Sequence, residues 1–182
     1  MRSLTWNAVC RRRLAHHHLL SPLPRARLVD AVRSVGGIQA QILSAAELAL
    51  GVRVAELTRQ EVQAELWEWH SLIKTYGPRQ TLHLLPADEL PLWMAALRAC
   101  AQVREPHWYA DAGLSPSQAN SLLDAIAEAL DGCCLTRQEL ADAVAQRVGE
   151  WARERLLSPW GELLAPAAFT GRLCFGPSRG AR

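Results

Sequence analysis

Gln39 and Gln41 are the residues of this sequence whose type and spacing could perform chemistry together. They stand one residue apart, directly after the Gly36-Gly37 pair that ends an arginine-rich segment. Side chains at i and i+2 point to the same side only where the backbone is extended, because on a helix they lie about 200° apart. The segment from Ile38 to Gln41 alternates apolar and polar residues, which predicts an extended run with its apolar side chains buried and both amides exposed.

Two interpretations of this glutamine pair remain open on spacing alone. An amide both donates and accepts hydrogen bonds, so two amides on one side of a strand could orient a water molecule. Gln-x-Gln is also a common pattern, and the same residues could be ordinary polar side chains of a loop before the next helix. The elements that surround the pair must decide between a site and a loop.

The composition is that of a folded globular protein. The chain has 182 residues, 49% of them hydrophobic, which is enough to bury the core of one large or two small domains. No window approaches the roughly 18 uninterrupted apolar residues of a membrane span. Arg11, Arg12 and Arg13 stand where a secretory signal would need apolar residues. A cytoplasmic protein without a membrane partner is predicted.

The net charge of +2 conceals a strong asymmetry along the chain. Residues 1–35 carry seven arginines and a single carboxylate, Asp30, whereas residues 86–132 carry two arginines and seven carboxylates. Arginine donates well-directed hydrogen bonds to phosphate, so the basic segment is a candidate face for a polyanion. A solvated helix face would have the same composition.

The cysteines and histidines indicate neither a disulfide framework nor a metal site. The five cysteines are odd in number and contain no Cys-x-x-Cys pair, which predicts reduced thiols. His16, His17 and His18 are consecutive, and consecutive side chains on a helix do not converge on one ion. We predict that the protein uses no metal and no cofactor.

The first half of the chain predicts helices followed by a hairpin. Helices are expected after Thr5, through Leu28–Val35, over 42–50, and after the Thr58–Glu61 capping box. The period then changes, since 72–76 and 79–85 are β-rich runs on either side of Gly77-Pro78. Several short helices followed by a hairpin form the outline of a winged helix.

The second half repeats this plan. A connecting helix is expected over 86–101 at the end of the first unit, and three further helices are expected after the capping boxes at Ser115 and Thr136 and after Ser158-Pro159, followed by a β-like run over 172–177. We therefore predict a mainly α fold with short β-hairpins, arranged as tandem winged-helix (helix-turn-helix) units over 1–104 and 105–182. The second wing is expected to be truncated, because the chain stops at Arg182 before a return strand.

Three motifs together resemble one family. They are Val35-Gly36-Gly37-Ile38-Gln39-Ala40-Gln41, then Lys74-Thr75-Tyr76-Gly77-Pro78-Arg79 with Thr81-Leu82-His83-Leu84, and Leu173-Cys174-Phe175-Gly176-Pro177-Ser178-Arg179-Gly180. The set is similar to the winged-helix DNA-binding-domain family that includes the AlkZ-like DNA glycosylases, which act on bulky N7-alkylpurines and azinomycin-type interstrand crosslinks. Family members are about twice as long, so this chain would supply their N-terminal half. It departs from the pattern at Gln80, where a glycine usually follows the arginine.

The resemblance implies a site and a partner. Gln39 and Gln41 match the glutamine-x-glutamine motif that is catalytic in characterised glycosylase members. An N7-alkylated purine is already cationic and leaves without protonation, so two neutral amides that orient a water would suffice, although neither is a strong general base. Double-stranded, damaged DNA is the implied partner, and the expected DNA contacts are Arg11, Arg12, Arg13, Lys74, Arg79 and His83.

Two other functions are compatible with the same features. A winged-helix outline and a basic N-terminus are sufficient for a non-catalytic DNA-binding or regulatory module. The chain could also be an inactive truncated remnant that keeps the glutamines without the C-terminal region of its active relatives. The leaning towards a hydrolase for DNA repair rests on the family motif.

Overall fold

The computed structural model describes residues 4–99, 109, 112–158 and 163–179. The chain divides into two compact units, Met1–Glu89 and Leu90–Arg182. The helix Leu90–Ala99 belongs to the second unit, whereas the sequence-based division placed it with the first. The predicted boundary between residues 104 and 105 lies outside the described residues and stays a prediction.

Four α-helices form the helical part of the first unit. Two of them begin at predicted caps: α1 at Thr5, whose hydroxyl accepts from Ala8 N at 3.2 Å, and α4 at the Thr58 capping box. No residue of α1 is buried, so its apolar residues are not part of the core. The bounds are α1 Trp6–His16, α2 Leu28–Ser34, α3 Leu43–Gly51 and α4 Arg59–Trp67.

Three strands of the first unit form an antiparallel sheet. The hairpin predicted around Gly77-Pro78 is confirmed, with β2 at Leu72–Tyr76 and β3 at Leu82–Pro86. The short strand β1, Ile38–Gln39, pairs with the other edge of β3, which gives the order β1-β3-β2. The register aligns Ile38 with Leu84 and Lys74 with Leu84, so β3 is the central strand.

The Gly36-Gly37 pair turns the chain from α2 into β1. Gly36 has φ 73° and Gly37 has φ 97°, a left-handed region that glycine enters without a Cβ penalty. Gly36 N donates to Arg33 O and Gly37 N donates to Val32 O, the two bonds of a Schellman motif. A Cβ on Gly37 would lie 2.6 Å from Leu85 Cδ2, so only glycine lets the chain pass this close to β3.

The core of the first unit lies between the helices and one face of the sheet. Apolar side chains of α2, α3 and α4 pack against inward-facing residues of all three strands. At roughly 25 cal/mol for each Å² of apolar surface removed from water, burial of this set is the main stabilising contribution. The members are Leu28, Val32, Ile38, Ala40, Ala46, Leu50, Val62, Leu66, Leu72 and Leu84.

The regular elements in the described part of the second unit are helices. Its helices are α5 Leu90–Ala99, α6 Pro116–Leu130, α7 Arg137–Val148, α8 Trp151–Leu157 and α9 Leu164–Phe169. The predicted capping boxes of α6 and α7 are present, with Ser115 and Thr136 as the capping residues. The core contains Leu122, Ile126, Leu140, Val144, Leu156 and Leu163.

The β-like run predicted over Arg172–Pro177 is not a strand in the structure. Within this run Phe175 forms an isolated β-bridge, and the other residues are bend or coil. The class of fold is confirmed as mainly helical with a small antiparallel sheet, and in the first unit α2-β1-α3-α4-β2-β3 follows the winged-helix outline. None of the described helices is long and apolar enough to cross a membrane.

Candidate functional site

The glutamine pair lies at the edge strand of the three-stranded sheet. Gln39 and Gln41 are exposed, while Ile38 and Ala40 are 6% and 0% exposed. The predicted alternation is therefore confirmed. Because consecutive side chains of a strand point to opposite faces, Gln39 points away from the face that carries Ile38. Gln41 follows two residues later, just beyond the end of β1.

The two amides differ in their hydrogen bonds. Gln41 Oε1 accepts from Leu82 N at 2.7 Å, and Ala40 N donates to Leu82 O at 2.7 Å, so both residues are tied to β3. No hydrogen bond within the described residues involves the Gln39 side chain. Gln41 thus keeps its Nε2 donor for other groups, while Gln39 has both its oxygen and its nitrogen free.

A row of polar residues crosses the sheet beside the glutamines. The strand register places His83 opposite Gln39 on one side and opposite Thr75 on the other. Directly opposite residues of an antiparallel pair point to the same face, with Cβ atoms about 5 Å apart. His83 is 6% exposed and Thr75 is 1% exposed, which makes them two of the three buried polar or charged residues in the described part of the chain.

Arg79 lies in the turn of the hairpin. The turn spans Gly77 to Thr81 and is closed by a hydrogen bond in which Gly77 N donates to Thr81 O at 2.9 Å. Within it, Arg79 and Gln80 both have φ 58°. Gln41 is bonded to Leu82, the residue that follows this turn. Arg79 therefore sits at the end of the sheet that carries Gln41, and its guanidinium is exposed.

Lys74 lies on the opposite face of the sheet from the glutamines. It aligns with Leu84, which aligns in turn with Ile38 on β1, and these positions share the face that packs on the helices. Burial lowers the pKa of the Lys74 ammonium below its usual value. The structure does not bring Lys74 together with Gln39 and Gln41, and its DNA contact stays a prediction.

The basic N-terminal segment divides into paired and unpaired arginines. Arg25, Arg27 and Arg33 are held in ion pairs. Hydrogen bonding to Glu89 raises the pKa of Arg33, and hydrogen bonding from Arg27 lowers the pKa of Asp30. None of the ion pairs found within residues 4–99, 112–158 and 163–179 involves Arg11, Arg12, Arg13 or Arg79.

The third helix of the winged-helix outline, α4, does not present a basic surface. In helix-turn-helix proteins the corresponding helix enters the major groove. Here α4 begins with Arg59, which pairs with the buried Glu47 at 2.9 Å, and it carries Glu61 and Glu65. Exposed arginines without an ion pair among the described residues of the first unit lie on α1 and at the hairpin turn, where Arg11, Arg12, Arg13 and Arg79 stand.

Sequence reasoning singled out His83 but gave no role to Thr75. The signal was present, because Thr75 interrupts the apolar positions of β2 and stands two residues before the Gly77-Pro78 turn. Counting back across that turn aligns Thr75 with His83. The described residues bring no three His, Cys, Asp or Glu side chains together as metal ligands would be, and the four described cysteines are free.

The fold and this site define a mainly helical protein with a winged-helix unit whose sheet edge presents two neutral amides. The family model for DNA glycosylases described as AlkZ-like matches residues 32–182, and the chain belongs to that family. It is 36% identical, over 177 residues, to an interstrand DNA cross-link repair glycosylase of Streptomyces sahachiroi. The alignment covers 97% of this chain and 47% of that relative.

A solved structure gives the same result for the fold. The DNA glycosylase AlkZ of Streptomyces sahachiroi superposes with a TM-score of 0.84 at 34% sequence identity. The match covers 98% of this chain and 48% of that one. The chain therefore spans about half the length of the relatives it matches.

Proposed function

We propose that this chain acts in a monofunctional DNA glycosylase that hydrolyses the N-glycosidic bond of bulky or crosslinked N7-alkylpurines in duplex DNA. The observation that carries the proposal is the exposure of both amides at the edge of the sheet, Gln39 on β1 and Gln41 just beyond it, on either side of the buried Ala40. Family membership supports the reaction class. The relative described as an interstrand DNA cross-link repair glycosylase supports the class of lesion.

Gln39 and Gln41 together place a water molecule below C1′ of the damaged nucleotide, one as hydrogen-bond acceptor and the other as donor. Gln41 is held by Leu82 and offers Nε2 as a donor, whereas Gln39 offers an unengaged carbonyl oxygen as an acceptor. A water bound in this way has a lone pair directed at the sugar, where positive charge develops as the bond to the purine breaks. Normal purines are poor substrates because they lack the cationic ring that makes the base leave.

The test is base release from a duplex carrying a single N7-methylguanine, measured under single-turnover conditions with the protein in excess. We expect Gln39→Ala and Gln41→Ala to lower the rate constant by about tenfold or more, because each removes a partner of the attacking water. Gln60→Ala is the matched control, since Gln60 is an exposed glutamine on α4. Release by the parent chain no faster than from DNA alone would contradict the proposal.

A second function is supported by the unpaired arginines of α1. A DNA-binding module without chemistry, such as a regulator, would bind duplex DNA with a strong salt dependence and release no base. Its affinity would be the same after Gln39→Ala and Gln41→Ala. An inactive remnant would show neither base release nor lesion-dependent binding, and a cooperative thermal transition would distinguish it from an unfolded chain.

A further inference from the structure

The row Thr75, His83 and Gln39 supplies a group that the glutamine pair lacks. Two amides can orient a water, but neither takes up the proton that the water must lose. His83 stands beside Gln39 in the strand register, on the same face of the sheet. It is the titratable side chain that the register sets directly opposite the proposed water-binding amide.

The hydrogen bonds of His83 fix which ring nitrogen is available. His83 Nδ1 lies 2.8 Å from Thr81 O, and a carbonyl oxygen only accepts, so Nδ1 carries the hydrogen. The Thr81 hydroxyl, 3.5 Å from Nδ1, donates to Pro78 O at 3.2 Å. In the neutral ring this tautomer leaves Nε2 as an unprotonated acceptor.

Two glycines of the family motifs make room for this ring. A Cβ on Gly77 would lie 3.0 Å from His83 Cβ and 3.2 Å from Nδ1. A Cβ on Gly37 would lie 3.5 Å from His83 Cδ2, the carbon bonded to Nε2. The Nδ1 edge of the ring therefore faces the hairpin turn, and the Cδ2 edge faces the glycine that leads into β1.

Thr75 adds an observation that is independent of the histidine. Its Oγ1 is enclosed and has no hydrogen-bond partner, although the residue is only 1% exposed. An unpaired buried hydroxyl costs about 1–3 kcal/mol, and valine has the same shape without that cost. Packing therefore gives no reason for the hydroxyl, and the strand register sets it beside the His83 side chain, whose orientation it can influence.

We propose that His83 Nε2 is the general base of the reaction, with Thr75 as a positioning residue, an inference that rests on the proposed glycosylase function. The water held by Gln39 and Gln41 gives one proton to Nε2 as its oxygen bonds to C1′. The C1′–N9 bond breaks, and its electron pair neutralises the cationic purine, which leaves as the free base. The imidazolium then returns the proton to solvent, and the abasic sugar keeps the hydroxyl.

The experiment compares His83→Asn with the parent chain on the N7-methylguanine duplex. Asparagine places an amide nitrogen near the position of Nδ1, so the bond to Thr81 O is kept while the Nε2 acceptor is lost. We expect the single-turnover rate constant to fall about 100-fold, in the range that general bases contribute, with unchanged duplex affinity and a smaller loss of melting temperature than in His83→Ala. Thr75→Val should lower the rate constant without lowering the melting temperature.

Chemical rescue separates a base from a purely structural histidine. In His83→Ala, added imidazole can occupy the space between Gly37 and Gly77 and should restore part of the lost rate. Absence of rescue, together with equal losses of melting temperature in His83→Asn and His83→Ala, would overturn the role of His83. If His83→Ala does not fold, the rate constant of His83→Asn decides the question.

The outcomes distinguish this inference from the function on which it rests. Base release by the parent chain and by His83→Asn at rates within about threefold would overturn the general base and leave the glycosylase intact. No release by the parent chain would overturn both. A loss that is confined to the His83 and Thr75 variants and is restored by imidazole supports the inference.

Discussion

At Gln41 a single hydrogen bond serves both the fold and the candidate site. Its Oε1 caps the N–H of Leu82 at the start of β3, which fixes the amide in one orientation. Replacement by alanine leaves that N–H without its partner and costs about 1 kcal/mol of stability in addition to any loss of activity. Gln39 has no such second role, so Gln39→Ala is the cleaner test of chemistry.

Gln80 is a strained residue in the hairpin turn. Its φ of 58° is left-handed, a conformation that costs an L-residue about 1–2 kcal/mol. We expect Gln80→Gly to raise the free energy of unfolding by about 0.5–1 kcal/mol, because glycine removes the strain but gains freedom in the unfolded chain. Urea unfolding followed by circular dichroism measures the difference.

The control for this prediction is Gln80→Ala, which removes the polar side chain and keeps the strained backbone. It should leave the free energy of unfolding nearly unchanged. A gain of the same size in both variants would show that the side chain, and not the backbone conformation, is responsible.

At the scale of elements, capping boxes set where α4, α6 and α7 begin. In α4 the Thr58 hydroxyl and backbone N–H both donate to Glu61 Oε2 at 2.7 Å, and Glu61 N donates back to the Thr58 hydroxyl at 3.3 Å. The hydrogen bonds from Thr58 lower the pKa of Glu61 below its ordinary value of 4.5. The helix start is therefore coupled to pH.

Glu61 is expected to stabilise the fold above its unfolded pKa and to lose this contribution in acid. As the pH falls below 4.5, the unfolded chain takes up the proton first, and the stabilisation disappears as the pH falls through the lowered pKa of the folded state. Glu61→Gln keeps the capping geometry and removes the charge, so its free energy of unfolding should fall less steeply between pH 5 and about pH 2. Urea unfolding at a series of pH values measures the two slopes, and identical slopes would contradict the assignment.

Local sequence patterns predict where helices begin and which side chains of a strand are exposed. They do not predict which residues far apart in sequence lie side by side. Helix starts follow from local devices such as Thr58 to Glu61, and the exposure of Gln39 and Gln41 follows from the period of two in their own segment. The alignment of Gln39 with His83 does not, because the two residues are 44 positions apart and no local pattern fixes that register. The ion pairs of Arg33 with Asp88 and Glu89 are hidden for the same reason.

At the scale of the molecule, the positive charge available to a polyanion is smaller than the composition indicates. Three of the seven arginines in residues 1–35 are neutralised by carboxylates of the first unit. Arg11, Arg12 and Arg13 remain on α1, a helix that has no buried residue. Duplex binding should therefore depend on α1 more than on the segment that follows it.

Salt dependence tests this distribution of charge. Removing one arginine that binds a phosphate reduces the slope of log K against log salt concentration by about 0.9. We expect Arg12→Gln to reduce the slope by about that amount, whereas Arg27→Gln should leave it unchanged because Arg27 Nε is paired with Asp30 at 2.9 Å. Fluorescence anisotropy with a labelled duplex at several NaCl concentrations measures both slopes. Equal changes in the two variants would contradict the division into paired and unpaired arginines.

The Schellman turn at Gly36-Gly37 also makes the candidate site sensitive to the length of the chain. Gly37 is bonded back to Val32, and the next residue, Ile38, is already paired with Leu84. An insertion of one residue between Gly37 and Ile38 would move every side chain that follows to the opposite face, so that both glutamines would point into the core. An insertion of two residues would return them to the exposed side. Insertions and deletions at this point in related sequences should therefore be absent or even in number wherever the two amides are retained.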